Sequence, residues 1–366
     1  MVDQATVEDF FADNYLEARQ KFLSACEKKA LEVETIVLEV SAQDKTELAT
    51  DVARIGSAEA NKLLVLTSGV HGAELMCGSG CQVGLLESEH FTTLPADTAV
   101  LMIHAINPWG AAKLRRNNED NVDLCRNFVD FSEELPVNQA YQELHEALSC
   151  PELTGPGKEQ AQDSLRAFRS KWGEQGFVGA IMSGQYQHPR GIGYGGSQAT
   201  WSSRQLRRIL EKHGKGARQV CLADFHSGLG NYGEGVVVCM HEGEALQRAR
   251  LWFGEDLMAP MAEAGNEGRF HPAIGHTTAG YIESLPGREL TSIVIEYGTY
   301  DMETNLQALL DDHTLFLSED DHSASAQNIK QRMLTSHFPD DPEWRYAVWT
   351  RSEQIIEQAM GGLHCD

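Results

Sequence analysis

Apolar residues recur along this chain either at helical spacing or as short continuous runs, and the two patterns alternate. Val7, Phe11, Tyr15, Ala18, Phe22 and Cys26 share one helical face, which predicts an amphipathic helix over residues 7–26. Residues 33–40 and 62–67 read as strands. Residues 75–86 read as a helix interrupted by Gly78, Gly80 and Gly84, a small-residue stripe that would let it lie close against a sheet. Residues 100–106 form another buried-strand run, ending at Asn107-Pro108, where proline disfavours continuation. Residues 202–213 predict a short basic helix closed by Gly214. Strands over 220–226 and 292–296 follow it.

Between these elements, residues 151–160 shift to Pro, Glu, Thr, Gly and Lys, and residues 185–197 are rich in Gly and aromatics, so both read as loops. Residues 318–345 are acidic, contain proline and lack periodicity, which predicts a surface excursion, and residues 346–361 read as a closing helix. Strands alternating with helices favour a mostly parallel sheet covered on both faces. The expected fold is α/β, a three-layer α/β/α sandwich with a mostly parallel mixed sheet, forming a single domain over residues 1–366.

Charge narrows the possible partners. Acidic residues outnumber basic ones 54 to 30, for a formal net charge of -24, and such a field repels phosphate backbones and anionic bilayers. Neither a nucleic acid nor a membrane is expected as partner. The N-terminal segment carries Asp3, Glu8, Asp9, Asp13 and Glu17, unlike the basic start and apolar run of a secretory signal. No stretch reaches the roughly twenty apolar residues that span a bilayer. The expectation is a soluble, cytoplasmic protein. The eight cysteines are scattered, several of them inside apolar runs where a reduced thiol packs as a small hydrophobe. Cys77 and Cys81 lie four apart, but no second pair of ligand spacing follows, so packing is their expected role.

Three strand-like runs end in groups that bind metals or exchange protons. Residues 63–68 lead through Gly69 and Val70 to His71 and Glu74, residues 220–225 lead to His226, and residues 292–295 lead to Glu296. In a parallel sheet the carboxyl ends of the strands converge on one crevice, so such side chains can meet across large sequence separations. His71 and Glu74, three apart in a tight turn, can reach one ion. Catalytic zinc commonly takes two histidines and a carboxylate and keeps one position open, and His226 is placed to be the second histidine. Such an ion acidifies water and polarises an amide carbonyl, with Glu296 as the acid beside it. Taken singly, a histidine after a strand is more often an ordinary polar residue, and a glutamate there more often an ion-pair partner. Glu296 is more telling because it emerges directly from Ile293-Val294-Ile295, and a buried carboxylate is costly without a partner.

Arg115, Arg116 and Arg126 cluster in an otherwise acidic chain. Guanidinium groups bind carboxylates bidentately, which suits an anionic ligand, while an ion-pair network with Glu119 and Asp120 is the competing reading. The glycines at 191, 193, 195 and 196 match a phosphate loop only in composition, since no Lys-Ser/Thr follows, and a binding or gating loop is expected there.

The order of these blocks resembles the zinc carboxypeptidase superfamily. It comprises His71-x-x-Glu74, Asn107-Pro108-x-Gly110 with Arg116, Val122-Asp123-x-x-Arg126-Asn127-Phe128, Asp224-x-His226-Ser227 and Glu296 on a final strand. The wider phrasing is similar to an uncharacterised bacterial branch of carboxypeptidase/aspartoacylase-like hydrolases. It is carried by Thr67-Ser68-Gly69, Arg116-Asn117-Asn118-Glu119-Asp120-Asn121, His226-Ser227-Gly228-Leu229-Gly230 and Glu296-Tyr297-Gly298-Thr299. The resemblance runs from about residue 10 to residue 305.

The resemblance implies that His71, Glu74 and His226 ligate Zn2+ and that Glu296 is general base and then proton donor. It also implies that Asp123 orients His71 through its other ring nitrogen. Arg116 would stabilise the carbonyl oxyanion, with Arg115 as its neighbouring alternative, and Arg126 would clamp a substrate carboxylate. Tyr281 would be the phenol donor, with Tyr297 and Tyr300 as competitors. Cys125 departs from the family, which has Asn before the clamping arginine, and a thiol cannot supply the same amide donors. The expected function is zinc-dependent hydrolysis of an amide bond in a small peptide or N-acyl amino acid by metal-activated water. A catalytically silent binding protein on the same fold is the rival.

Overall fold

The mixed sheet is built from β1 (Val33–Val37), β2 (Ala49–Gly56), β3 (Lys62–Ser68), β4 (Thr98–His104), β5 (Gln219–Ser227), β6 (Gly235–Val238) and β7 (Glu289–Tyr297). The computed structural model describes residues 3–40, 46–263, 274–319 and 323–365. The strands lie in the order β1-β2-β4-β3-β5-β7-β6. β4, β3, β5 and β7 run parallel, while antiparallel pairs of β2 with β4, β1 with β2, and β6 with β7 close the two sides.

β3, β4 and β5 are buried at nearly every position, as strands covered on both faces must be. Alternate side chains divide between two layers. Leu64, Leu66, Val100, Met102, Ala223 and Phe225 pack with the helices Tyr15–Lys28, Leu75–Glu87 and Pro342–Leu363. Leu63, Val65, Leu101, Ile103, Val220 and Leu222 pack with the helices Trp201–His213 and Thr277–Ser284. The result is a three-layer α/β/α sandwich. Among the described residues no helix is long and apolar enough to cross a membrane.

The glycine-rich helix Leu75–Glu87 lies against the sheet because its glycines lack side chains. A Cβ on Gly78 would stand 2.8 Å from the Ser68 Cβ and 2.9 Å from the Phe225 Cβ. This helix directly follows the turn that carries His71 and Glu74, so its seating fixes that turn.

Several elements differ from the sequence-based expectation. The helix over residues 7–26 is broken: Asn14 adopts an extended backbone and caps a new helix, Tyr15–Lys28, by accepting from the Glu17 N–H. Strand β2 was not anticipated because Thr50, Asp51 and Arg54 interrupt its apolar pattern. In the fold, Thr50 donates to the Ala105 carbonyl, and Asp51 is met by Arg19 at 2.6 Å and by Thr35. The expected loop over 151–160 gives way at Pro156 to the helix Pro156–Met182, with Pro in its first turn and a kink at Gly173. The expected surface excursion over 318–345 contains the helix Ala324–His337, which buries Ala326, Ile329, Met333, Leu334 and His337.

Candidate active site

β3 leads through Gly69, whose φ of 72° turns the chain, into the 3₁₀ turn Gly72–Glu74. Two backbone hydrogen bonds lace this turn to the arginine segment: the Gly72 N–H donates to the Arg116 carbonyl and the Ala73 N–H to the Arg115 carbonyl. Beside it, β5 delivers Asp224 and His226. These lie two apart on one strand and therefore on one face. In the parallel register His226 pairs with Glu296 of β7. Three strand ends thus bring His71, Glu74, His226 and Glu296 to the same edge of the sheet.

Glu74 is the centre of the cluster. His71 Nδ1 lies 2.8 Å from its Oε1 and His226 Nδ1 lies 2.9 Å from its Oε2, with the two rings edge to face at a centroid distance of 4.9 Å. Each imidazole presents its second nitrogen to another carboxylate. His71 Nε2 is 3.3 Å from Asp123 Oδ1, and His226 Nε2 is 3.1 Å from Asp224 Oδ2. The Ser227 N–H donates to Glu74 Oε2. Arg116 donates from Nε to Asp123 and from an Nη to Glu74, at 3.2 and 3.3 Å. The three groups His71, Glu74 and His226 each offer a ligand atom within 4.8 Å of the others.

This donor set fits a divalent transition metal. Two imidazole nitrogens and one carboxylate face one another in a buried site, and each imidazole is oriented by a carboxylate behind it, the support that metal-bound histidines usually have. Against burial, the carboxylates around them hold the His71 and His226 rings well above the ordinary imidazole range. Burial alone would raise the Glu74 carboxyl, but the His71 and His226 rings hold it well below the usual carboxylate range. Burial likewise opposes ionisation of Asp123, yet Arg116 and His71 keep it well below its ordinary value. Glu296 is half-buried and differs: burial, with the Glu74 charge adding to it and His226 opposing, pushes its pKa up to about 7.

Other candidates fall elsewhere. Arg115 is turned to Asp312 at 3.0 Å and to Asn121, with its guanidinium over the Phe316 ring, so it is bound into an ion-pair cluster rather than the site. Arg126 donates to the carbonyls of Cys125 and Met182, while its Nε is buried without a hydrogen-bond partner. That guanidinium is already engaged by backbone where a carboxylate clamp was expected. Cys125 is buried and offers its sulfur within 4.8 Å of His71 and Asp123 ligand atoms. Burial would raise this thiol, but His71 and His276 hold it well below its ordinary value.

Tyr281 is not a surface phenol. It is fully buried on the helix Thr277–Ser284 and donates to Asp224 Oδ2 at 2.9 Å, so it supports the carboxylate that holds His226. Of its competitors, Tyr297 pairs with Ser352 in the core and Tyr300 is exposed beside Tyr232. The sequence reading assigned Asp224 no role, although its position two before His226 is a usable signal. His337 gave no signal at all. It comes from the helix Ala324–His337, and its Nε2 stands 4.0 Å from Glu74 Oε1. The glycine loop near residue 193 packs beside the site, where the Tyr194 carbonyl accepts from the Asp123 N–H.

Comparison with known proteins places these observations in context. A family model described as a protein of unknown function, DUF2817, matches residues 11–351. No curated protein matches the sequence. Among solved structures, the chain is similar to thrombin activatable fibrinolysis inhibitor, with a TM-score of 0.48 and 13% identity over 92% of this chain and 77% of that one. It is similar also to carboxypeptidase A from Helicoverpa armigera, with a TM-score of 0.45 and 12% identity over 90% and 75% of the two chains. A third is succinylglutamate desuccinylase/aspartoacylase from Rhodobacter sphaeroides, with a TM-score of 0.36 and 15% identity over 79% and 63%.

Proposed function

We propose that this chain, which belongs to the DUF2817 family of unknown function, is a zinc-dependent hydrolase that cleaves an amide bond in a small peptide or an N-acyl amino acid. The observation that carries the reading is the pair of imidazole Nδ1 atoms on one buried carboxylate, each imidazole held from behind by its own aspartate.

His71, Glu74 and His226 would hold the ion. Bound there, zinc supplies Lewis-acid polarisation of a carbonyl and acidification of water. The remaining steps belong to the protein. Glu296, with its pKa near 7, takes a proton from the attacking water and returns it to the leaving amine, a task for which a carboxylate poised near neutral pH is suited. Arg116 places a guanidinium beside Glu74 and stabilises negative charge growing on the carbonyl oxygen. Asp123 and Asp224 keep both imidazoles in the tautomer that presents Nδ1 to the ion, and Tyr281 holds Asp224 in place. Since Arg126 is engaged by backbone carbonyls, substrate selection in this reading does not require a free α-carboxylate.

Elemental analysis of the purified protein beside His71→Ala tests the metal reading. About one zinc per chain in the wild type, lost in the variant, is the expected result. Hydrolysis assays on dipeptides and N-acyl amino acids test the chemistry: Glu296→Gln should keep zinc and lose turnover by at least about a hundredfold. Undiminished hydrolysis by Glu296→Gln would discard the proposed proton transfers, and a zinc-binding wild type that cleaves none of these substrates would favour a binding role.

A further inference from the structure

Building on the metal-hydrolase reading, we propose that Asn305 is a positioning residue of the reaction, its side-chain amide fixing the chain that leaves β5 and β7 and so the places of His226 and Glu296. Asn305 stands in the first turn of the helix Met302–Ser318, which Asp301 caps by accepting from the Thr304 N–H at 2.8 Å. Asn305 Nδ2 donates to the Gly228 carbonyl at 2.9 Å, to Thr299 Oγ1 at 3.1 Å and to the Tyr300 carbonyl at 3.3 Å. The orientation of the amide follows from these partners. Carbonyls can only accept, and the Thr299 hydroxyl already donates to the Ser336 carbonyl at 2.7 Å, so all three partners require the nitrogen side. Asn305 Oδ1 is buried and makes no hydrogen bond among the described residues, so the side chain holds through Nδ2 alone.

The partners belong to the two strands that carry the chemistry. Gly228 lies just beyond His226 and Ser227, and its own N–H donates to the Tyr297 carbonyl at 2.8 Å. Thr299 and Tyr300 follow Glu296 on the chain leaving β7. Strand pairing sets His226 opposite Glu296 and ends at Ser227 and Tyr297, and beyond that point the Asn305 amide joins the two chains. The same helix also meets the third strand end, since Ala308 packs with Ala73, in the turn between His71 and Glu74, and with Met333. One helix thus ties together the exits of β3, β5 and β7. Proton transfer needs the carboxylate within hydrogen-bond reach of the water it deprotonates, and a misplacement of about 1 Å can cost about a hundredfold in rate. A loosened exit therefore slows the reaction while all three ligands remain.

The test uses the full chain loaded with zinc or with cobalt, comparing wild type, Asn305→Asp and Asn305→Ala. The first variant keeps the size of the side chain and removes its donors, and the second removes the group without adding charge. Turnover of dipeptides and N-acetyl amino acids should fall about ten- to a hundredfold in both, with KM within about threefold of wild type. The visible absorption of the cobalt form should shift as His226 moves. A role confined to packing would lower the urea midpoint and leave turnover per folded molecule and the cobalt spectrum unchanged. Circular dichroism establishes which variants are folded, and where Asn305→Asp fails to fold, Asn305→Ala decides. Loss of the fold in both makes Asn305 a structural residue and overturns the proposal. Folded variants with wild-type turnover and wild-type cobalt spectra also overturn it and leave the hydrolase reading standing. A wild type that binds metal and cleaves none of these substrates discards the hydrolase reading, and unchanged cobalt spectra in the variants then overturn the hold of Asn305 on His226. A wild type that binds no metal overturns both.

Discussion

Behind His226 stands a buried chain of polar groups whose members are individually ordinary. Tyr281 donates to Asp224 Oδ2, Thr67 donates to Oδ1 at 2.7 Å, and the same carboxylate lies 3.1 Å from His226 Nε2. Burial would raise the Asp224 carboxyl, but His226, Thr67 and Tyr281 keep it below its ordinary value. Replacing Asp224 by Asn should weaken zinc binding about ten- to a hundredfold, measured by chelator competition, because the imidazole loses its orienting charge. Tyr281→Phe should cost about 1 kcal/mol of stability in urea unfolding and disturb zinc binding less, since Thr67 still holds the carboxylate. At this scale the grouping of His71, Glu74 and His226 was legible in the residues themselves, whereas the contact of Asp123 with His71 was implied only by the family resemblance. Tyr281 was legible as a site residue but not in its role, because its partner lies 57 positions away on another element. Arg115 and Arg126 read as anion binders from their clustering in an acidic chain and from the family resemblance. Asp312 and the Met182 carbonyl, which occupy them, come from segments the motif does not include.

At the level of elements, the helix Leu75–Glu87 and the helix Ala324–His337 brace the turn carrying His71 and Glu74 from two sides. The first is set by sterics. Gly78→Ala would press a methyl to 2.8–2.9 Å from the Ser68 and Phe225 Cβ atoms, both of them on strands that cannot yield. The expected loss is about 1–3 kcal/mol in denaturant unfolding, with zinc affinity falling as the turn shifts. This helix was legible because a long apolar run outweighs three glycines when every face is buried. The helix Ala324–His337 was not legible. Its flanking acids and Pro342 resemble a solvated excursion, and its buried face is only a few residues wide. It is stabilised by what it meets, including Lys330 on Asp312 at 2.9 Å and the hydroxyls of Ser227 and Thr299 at its end. Strand β2 illustrates the same physics, its polar residues becoming acceptable in the interior only because Arg19, Thr35 and the Ala105 carbonyl are waiting for them.

For the whole molecule, buried neutral histidines link folding to pH. His104 stacks on Phe22 and pairs with Ser79 Oγ, while His241 Nε2 accepts from the Ser292 N–H. Burial pushes both pKa values from 6.5 down to about 4, with nearby Arg248 adding to the effect at His241. As pH falls below about 6.5 the unfolded chain takes up protons that the folded state refuses until about pH 4. Stability should therefore fall through that window and level off below it, by at most about 3 kcal/mol for each histidine. Urea unfolding between pH 7 and pH 4 measures this, and His104→Gln should show a shallower loss than the wild type. The sequence by itself determined the alternation of strands and helices, the four groups at strand ends and the charge that disfavours anionic polymers, because each depends on periodicity or composition within a short window. Tertiary structure alone decided what each of the clustered arginines pairs with, what Tyr281 holds, where β2 and β6 join the sheet and that His337 lies beside Glu74. Each of those depends on a partner supplied from a distant segment, and the free energy of a buried polar group is set by that partner and not by its neighbours in the chain.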